Sequence, residues 1–214
     1  MKIAAIVPVK TFSKAKTRLN LSEQNKINLC KLMLEQVLQT ISESSFLNKM
    51  AVVSRDEDAL KICKKFGGIE IFDEKELGVN NAVSLADEYF HKDGFDASVV
   101  FPQDIPFILP QDIDFLLQSQ NSSKYVTIVP SRKFDGTNAL VRKPVNLMKT
   151  HYDEDSYKIH LQVGKSLTPN ASLVLIRRIM FDIDDPRDLE FMKIHNENPK
   201  LRDKIFQFCT LSAS

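Results

Sequence analysis

Short β-branched apolar runs alternate with stretches of helical period along this chain, and that alternation constrains its fold more than any other feature. Lys2–Pro8 is the first such run. Ser22 then stands where a helix N-cap would, and Ile27, Cys30, Leu34, Val37 and Ile41 recur at spacings of 3 and 4, which is one face of a helix. Met50–Val53 is a second strand. It is followed by a helix from Asp56 that carries Leu60, Cys63 and Phe66 and closes at Gly67-Gly68. Ile69–Phe72, a helix over Asn81–Phe90, a strand at Ala97–Phe101 and a helix from Pro110, with Phe115 and Leu116 on its inner side, continue the series. Tyr125–Pro130, Asn138–Arg142 and Ser172–Ile176 read as strands, with helices after Ser156 and from about Arg187. The pattern predicts an α/β fold with a mostly parallel central sheet and helices on both faces. After Lys124 the strands crowd together, which suits antiparallel additions at one edge in the C-terminal half.

Length and charge narrow the function classes. A chain of 214 residues, 43% apolar, is expected to form one domain over residues 1–214 and to bury roughly 70–75% of its unfolded surface. Twenty-nine Lys and Arg against 28 Asp and Glu give no general reason to expect nucleic acid or an anionic membrane as partner. No apolar run approaches the ~18 residues of a membrane span, and the opening MKIAAIVPVK reads as a buried strand rather than a signal sequence. Cys30, Cys63 and Cys209 are odd in number and far apart, with no metal-ligand spacing. Reduced thiols and a cytoplasmic location are expected.

In an open α/β sheet, ligands bind beyond the carboxyl ends of the strands. After the first strand, Pro8-Val9-Lys10 leads into a loop with Lys14, Lys16 and Arg18, four cations in nine residues. That loop suits a polyphosphate clamp as well as an ordinary solvated loop, and it lacks the glycines of a P-loop. After the third strand, Gly78, Asn80 and Asn81 offer a close backbone approach and amides able to read a base edge; taken alone, the segment reads first as a glycine turn with an Asn cap. After the fourth, Asp104 is held between Pro102 and Pro106, a rigid carboxylate of the kind Mg²⁺ takes. Gly136-Thr137-Asn138 offers an amide and a hydroxyl to an anion, or a β-turn. Ser156 and His160 stand one helical turn apart, as a cap and a structural histidine would. Asp182 and Asp184 alternate before Pro186, where they point the same way if extended and complete a site with Asp104; helix capping is the alternative.

In this order, Pro8-Val9-Lys10 with Ala15-Lys16-Thr17-Arg18-Leu19, Gly78-x-Asn80-x-Ala82, Pro102-x-Asp104-x-Pro106, Gly136-Thr137-Asn138-Ala139-Leu140, Ser156 with His160, and Asp182-x-Asp184-x-Pro186-x-Asp188-Leu189 resemble the 2-phospho-L-lactate guanylyltransferase family, related to the molybdenum-cofactor guanylyltransferases. The resemblance spans about Met1 to Leu189. It implies a single Rossmann-like nucleotidyltransferase domain acting in deazaflavin coenzyme biosynthesis. GMP passes from GTP to 2-phospho-L-lactate, or to phosphoenolpyruvate, and pyrophosphate is released. The resemblance assigns Mg²⁺ to Asp104 and Asp184, with Asp182 as second choice for the latter. It assigns the leaving pyrophosphate to Lys16 and Arg18, with Asp104 also catalytic, and the nucleotide to Pro8, Val9, Lys10, Gly78, Asn80 and Asn81. The acceptor falls to Thr137, Asn138, Ser156 and His160. Expected partners are GTP and a small phosphorylated carboxylic acid, with no nucleic acid and no membrane; homodimerisation is left open. Alternatives are a same-fold enzyme with another acceptor or nucleotide, and a non-catalytic nucleotide-binding regulator. One departure stands out: Asp153 occupies a place where the family carries Gly. Asp153 and Asp155 would repel a substrate phosphate unless they turn outward or bind metal.

Overall fold

In strand β1 (Ile3–Val9), Ile3, Ala5, Val7 and Val9 face one core while Ala4 and Ile6 face another. A strand buried on both sides has to do this, so helices are required above and below it. The structure, a computed structural model, describes residues 1–118, 122–153, 155–195 and 198–210. The further strands are β2 (Lys49–Ser54), β3 (Ile69–Phe72), β4 (Ala97–Val100), β5 (Tyr125–Pro130), β6 (Thr137–Lys143) and β7 (Ala171–Leu173). The helices are α1 (Glu23–Glu43), α2 (Glu57–Lys65), α3 (Val79–Lys92), α4 (Pro110–Gln118), α5 (Ser156–Leu167), α6 (Arg177–Met180), α7 (Pro186–Ile194) and α8 (Pro199–Thr210). Helices α1, α2, α4, α6, α7 and α8 cover one face of the sheet, and α3 and α5 the other.

The strand order is β3-β2-β1-β4-β6-β5-β7, and only β6 among the described strands runs antiparallel to its neighbours. The fold is therefore α/β with a mostly parallel sheet, as the periodicity predicts. The antiparallel strand, however, lies inside the sheet rather than at an edge. The crossover from β4 through α4 leaves a gap of one strand before β5, and the hairpin through 131–136 returns β6 into that gap.

Local signals held where a side chain satisfies a backbone group. Ser22 Oγ accepts from Asn25 N–H at 3.3 Å, and Asp56 accepts from Asp58 and Ala59 N–H, capping α1 and α2 as expected. On α4, Leu116 is buried but its neighbour Phe115 is 57% exposed, because adjacent helical positions point about 100° apart. The strand expected over Ser172–Ile176 is shorter and shifted, since the chain turns into the four-residue α6. Cys30 and Cys63 are buried free thiols, and no helix among the described residues is long and apolar enough to cross a membrane.

One rim of the sheet collects the loops. The carboxyl ends of β1 to β5 emerge there. Val100 pairs with Leu140, so Thr137 at the start of β6 stands alongside the Pro102–Asp104 segment. All four non-glycine residues of positive φ among the described residues lie in these rim loops: Lys16, Glu76, Phe134 and Asp155, with φ between 47° and 55°. That conformation costs an L-residue on the order of 1–2 kcal/mol, and such costs concentrate at functional sites.

Candidate active site

Lys16 is the hub of the rim. Its left-handed backbone turns the side chain inward, leaving it 4% exposed, and Nζ donates to Asp104 Oδ2 at 2.5 Å and to Asp184 Oδ1 at 2.6 Å. Burial works against the ammonium charge, yet the two carboxylates hold it protonated above the ordinary lysine range. Burial raises Asp104, against the pull of Lys16. Burial also opposes the charge on Asp184, but Lys16, Lys133 and Arg18 bring it below the usual carboxylate range. Burial, with Asp104 and Asp184 nearby, pushes Asp182 up to about 7. These residues, far apart in sequence, therefore form one electrostatic unit, and exposed Arg18 stands within its field. Ile183 N–H donates to the Asp104 carbonyl at 3.0 Å and locks the two acidic segments together.

The support for Asp184 comes from residues that sequence reasoning did not assign a role. Asp188, 1% exposed, accepts from the N–H groups of Asp184 and Asp185 at 2.9 Å each, from Lys133 Nζ at 3.0 Å and from Arg132 at 2.8 Å. It also closes a capping box with Asp185 at the start of α7. The Asp-Pro-x-Asp spacing was the available signal; the two cations come from the β5–β6 hairpin and carry no local motif.

A second cluster lies at the start of β6. His151 N–H donates to His160 Nε2 at 2.8 Å, so the neutral ring carries its hydrogen on Nδ1 and donates to Thr137 Oγ1 at 3.0 Å. Ser156 Oγ also donates to Thr137 Oγ1, at 3.1 Å. With both lone pairs of Thr137 Oγ1 engaged, its own proton is left for a further acceptor. His160 is fully buried, and burial, with His151 and Arg142 adding to it, depresses it to about 3. It positions Thr137 from behind and does not itself line open space. Asn138 likewise serves from behind: its amide donates to Ile179 O at 3.0 Å and to Asp182 Oδ1 at 3.1 Å. Asp153 and Asp155 are both exposed, and Asp155 pairs with Lys158 at 3.2 Å, so these acids turn away from Thr137 and Ser156. Glu154 lies outside the described residues.

Between these charges and the β3 edge is a cavity of about 440 Å³ lined by Pro8, Val9, Lys10, Asp73, Glu76, Leu77, Gly78, Val79 and Ala82. Gly78 has φ +103°, a conformation open to glycine alone, which lets the chain pass from this wall into α3. Asp73 and Glu76 are unforeseen members; a polar loop gave no reason to choose them. Asn80 and Asn81 line a neighbouring cavity with Asp87 and Met148 instead. Asn80 Oδ1 accepts from Tyr152 N–H at 2.8 Å, tying α3 to the segment before Ser156.

Two carboxylate oxygens converging on one ammonium define one cation position. Among the described residues no three His, Cys, Asp or Glu side chains gather closely enough to hold an ion alone. Two hard carboxylates suit Mg²⁺, which completes its shell with water and substrate phosphates. The arrangement offers an anion a cation pole and a hydroxyl donor, with a cavity of nucleoside size in the same rim.

Comparison with known proteins agrees with this chemistry. Residues 3–208 match the family described as Guanylyl transferase CofC like. The 2-phospho-L-lactate guanylyltransferase of Methanobrevibacter smithii is 31% identical over 204 residues, covering 94% of this chain and 88% of that one. The phosphoenolpyruvate guanylyltransferase of Conexibacter woesei is 29% identical, covering 90% and 88%. A crystal structure of a candidate nucleotide-diphospho-sugar transferase from Desulfovibrio desulfuricans G20 shares the fold, with a TM-score of 0.73 at 16% identity over 97% of this chain and 99% of that one.

Proposed function

The chain belongs to the CofC-like guanylyl transferase family and is a nucleotidyltransferase, and from that premise we propose that it transfers GMP from GTP to 2-phospho-L-lactate, releasing pyrophosphate, in deazaflavin coenzyme biosynthesis. The observation that carries this reading is the meeting of Lys16, Asp104 and Asp184 at the strand rim, beside a cavity roomy enough for a nucleoside.

An acceptor phosphate oxygen forms a bond to the α-phosphorus of GTP; the bond from that phosphorus to the β-phosphate oxygen breaks, and its electron pair leaves with pyrophosphate. The nucleophile is already an anion, so no strong base is required, and catalysis is positioning with charge neutralisation. Lys16 and Arg18 offset charge on the leaving pyrophosphate. The Thr137 hydroxyl, its oxygen held by His160 and Ser156, donates to the acceptor and fixes its place. Pro8, Val9, Lys10 and Gly78 enclose the nucleoside, where the Asp73 carboxylate is an acceptor suited to the donor edge of guanine. Asp104 and Asp184 would hold Mg²⁺, which when bound neutralises phosphate charge and orients the reacting oxygens. Three unpaired thiols suit a reducing cytoplasm.

The test is pyrophosphate release with Mg²⁺ and GTP, ATP or CTP, each with 2-phospholactate, phosphoenolpyruvate or 3-phosphoglycerate. Release is expected with GTP and 2-phospholactate. Release only with phosphoenolpyruvate would reassign the acceptor. Nucleotide-induced thermal stabilisation with no pyrophosphate from any pair would show a binder and sink the enzymatic reading.

A further inference from the structure

Glu76 sits in the basic loop as a bound anion would. Its Oε1 accepts from the Thr11 backbone N–H at 2.7 Å and its Oε2 from Lys14 Nζ at 2.6 Å, both across more than sixty residues of sequence. An amide and an ammonium converging on two oxygens is the pattern by which proteins hold phosphate. Two features mark the contact as more than a surface ion pair. Glu76 reaches it from a left-handed backbone at φ +47°, a strained state for a residue with a Cβ, two positions before Gly78 at φ +103°. Its side chain is also only 14% exposed and lines the nucleoside-sized cavity, whereas Lys14 is 56% exposed. Burial works against the Glu76 charge, but Lys14 and the Thr11 amide outweigh it and draw the carboxyl down to about 2, so it is an anion at neutral pH.

We propose that Thr11 N–H and Lys14 form a binding subsite for the terminal phosphates of the nucleotide, and that the Glu76 carboxylate occupies this subsite until polyphosphate displaces it. The proposal rests on the reading of the 10–18 loop as the polyphosphate clamp of GTP. It makes the cavity self-neutralised at rest. Polyphosphate entry exchanges one anion for another, and the loop carrying Glu76, released from its strained turn, opens toward solvent at exposed Leu77. A nucleoside monophosphate, which lacks the terminal phosphates, has nothing with which to displace Glu76.

A strut and a stand-in differ in a measurable sign. Glu76→Gln and Lys14→Met break the same ion pair. If the pair only braces the loop, both weaken ligand binding. If Glu76 is a stand-in, Glu76→Gln tightens binding of inorganic pyrophosphate and GTP by about three- to fivefold, the size of a partly exposed ion pair, while Lys14→Met weakens both by a similar factor. GMP affinity should change little in either. Calorimetric titration of the full chain with pyrophosphate, GTP and GMP reads all of these, with circular dichroism melts to confirm folding and Glu76→Ala as a second variant expected to behave like Gln. Weaker or equal pyrophosphate binding by both Glu76 variants overturns the proposal and leaves the guanylyltransferase reading intact. Failure of the wild-type chain to bind GTP overturns both.

Discussion

Among the described residues two cations have side chains buried against aspartates, and the two pairs differ in position, in geometry and in the number of acids sharing the charge. Arg142, in the middle of β6, is 0% exposed and meets Asp87 with two parallel bonds of 2.7 Å; the same two terminal nitrogens also donate to Ser98 Oγ and the Met148 carbonyl, while buried Nε has no partner among the described residues. The planar guanidinium is matched to one carboxylate and cross-links α3 to the sheet. Lys16 is a point charge shared between two carboxylates from different loops, on a strained backbone, with Asp184 40% exposed. A pair closed on itself in the sheet supplies stability. On the proposed function, a cation between two convergent acids at the rim exchanges partners when a charged substrate arrives. Burial and ion pairing alone do not distinguish the two; position on the sheet and the number of acids sharing the charge do.

That contrast can be broken experimentally. The largest effect is expected from Asp87→Ala, which leaves Arg142 buried without a counter-ion. About 3–5 kcal/mol of unfolding free energy should be lost in urea titration, with turnover of the folded fraction changed only a few-fold. Asp104→Asn should do the reverse: turnover falls on the order of 10²–10³-fold, while the urea midpoint moves little, because Lys16 keeps Asp184. Equal stability losses in the two variants would erase the distinction.

A smaller effect sharpens it, because the Thr137 cluster is built without formal charge. His160 titrates near 6.5 when unfolded and at about 3 when folded. Between these values the unfolded chain binds the extra proton, so the contribution of His160 to stability is complete above pH 6.5 and drains away as pH falls toward 3. The maximum slope is about 1.4 kcal/mol per pH unit. Chemical denaturation across pH 4–7 should show this slope in the wild type and a shallower one in His160→Gln; parallel curves would place the His160 proton elsewhere.

These contrasts also explain what could be read from the sequence. The fold was legible because strands buried on both faces and capped helices write local patterns: β3 falls at Ile69–Phe72 as expected, and Ser22 and Asp56 cap as expected. The position of β6 was not legible, since a jump of one strand leaves no local trace. In the candidate site, Lys16, Asp104 and Asp184 could be singled out because rim loops after parallel strands are where ligands bind, and the structure brings the three together. The supporting residues could not. Asn80, Asn138 and His160 look like ligand-binding groups by type, yet the structure directs them at Tyr152, Asp182 and Thr137. Glu76 and Asp188 gain their meaning only from partners more than fifty residues away.

The central claim is tested most directly by ³¹P nuclear magnetic resonance of GTP, Mg²⁺ and 2-phospholactate incubated with the wild-type chain and with Asp104→Asn. Wild type should yield coupled diphosphate resonances of a new GMP adduct together with pyrophosphate, both nearly lost in the variant. Orthophosphate in place of pyrophosphate, or the same adduct formed as fast by Asp104→Asn, would contradict it.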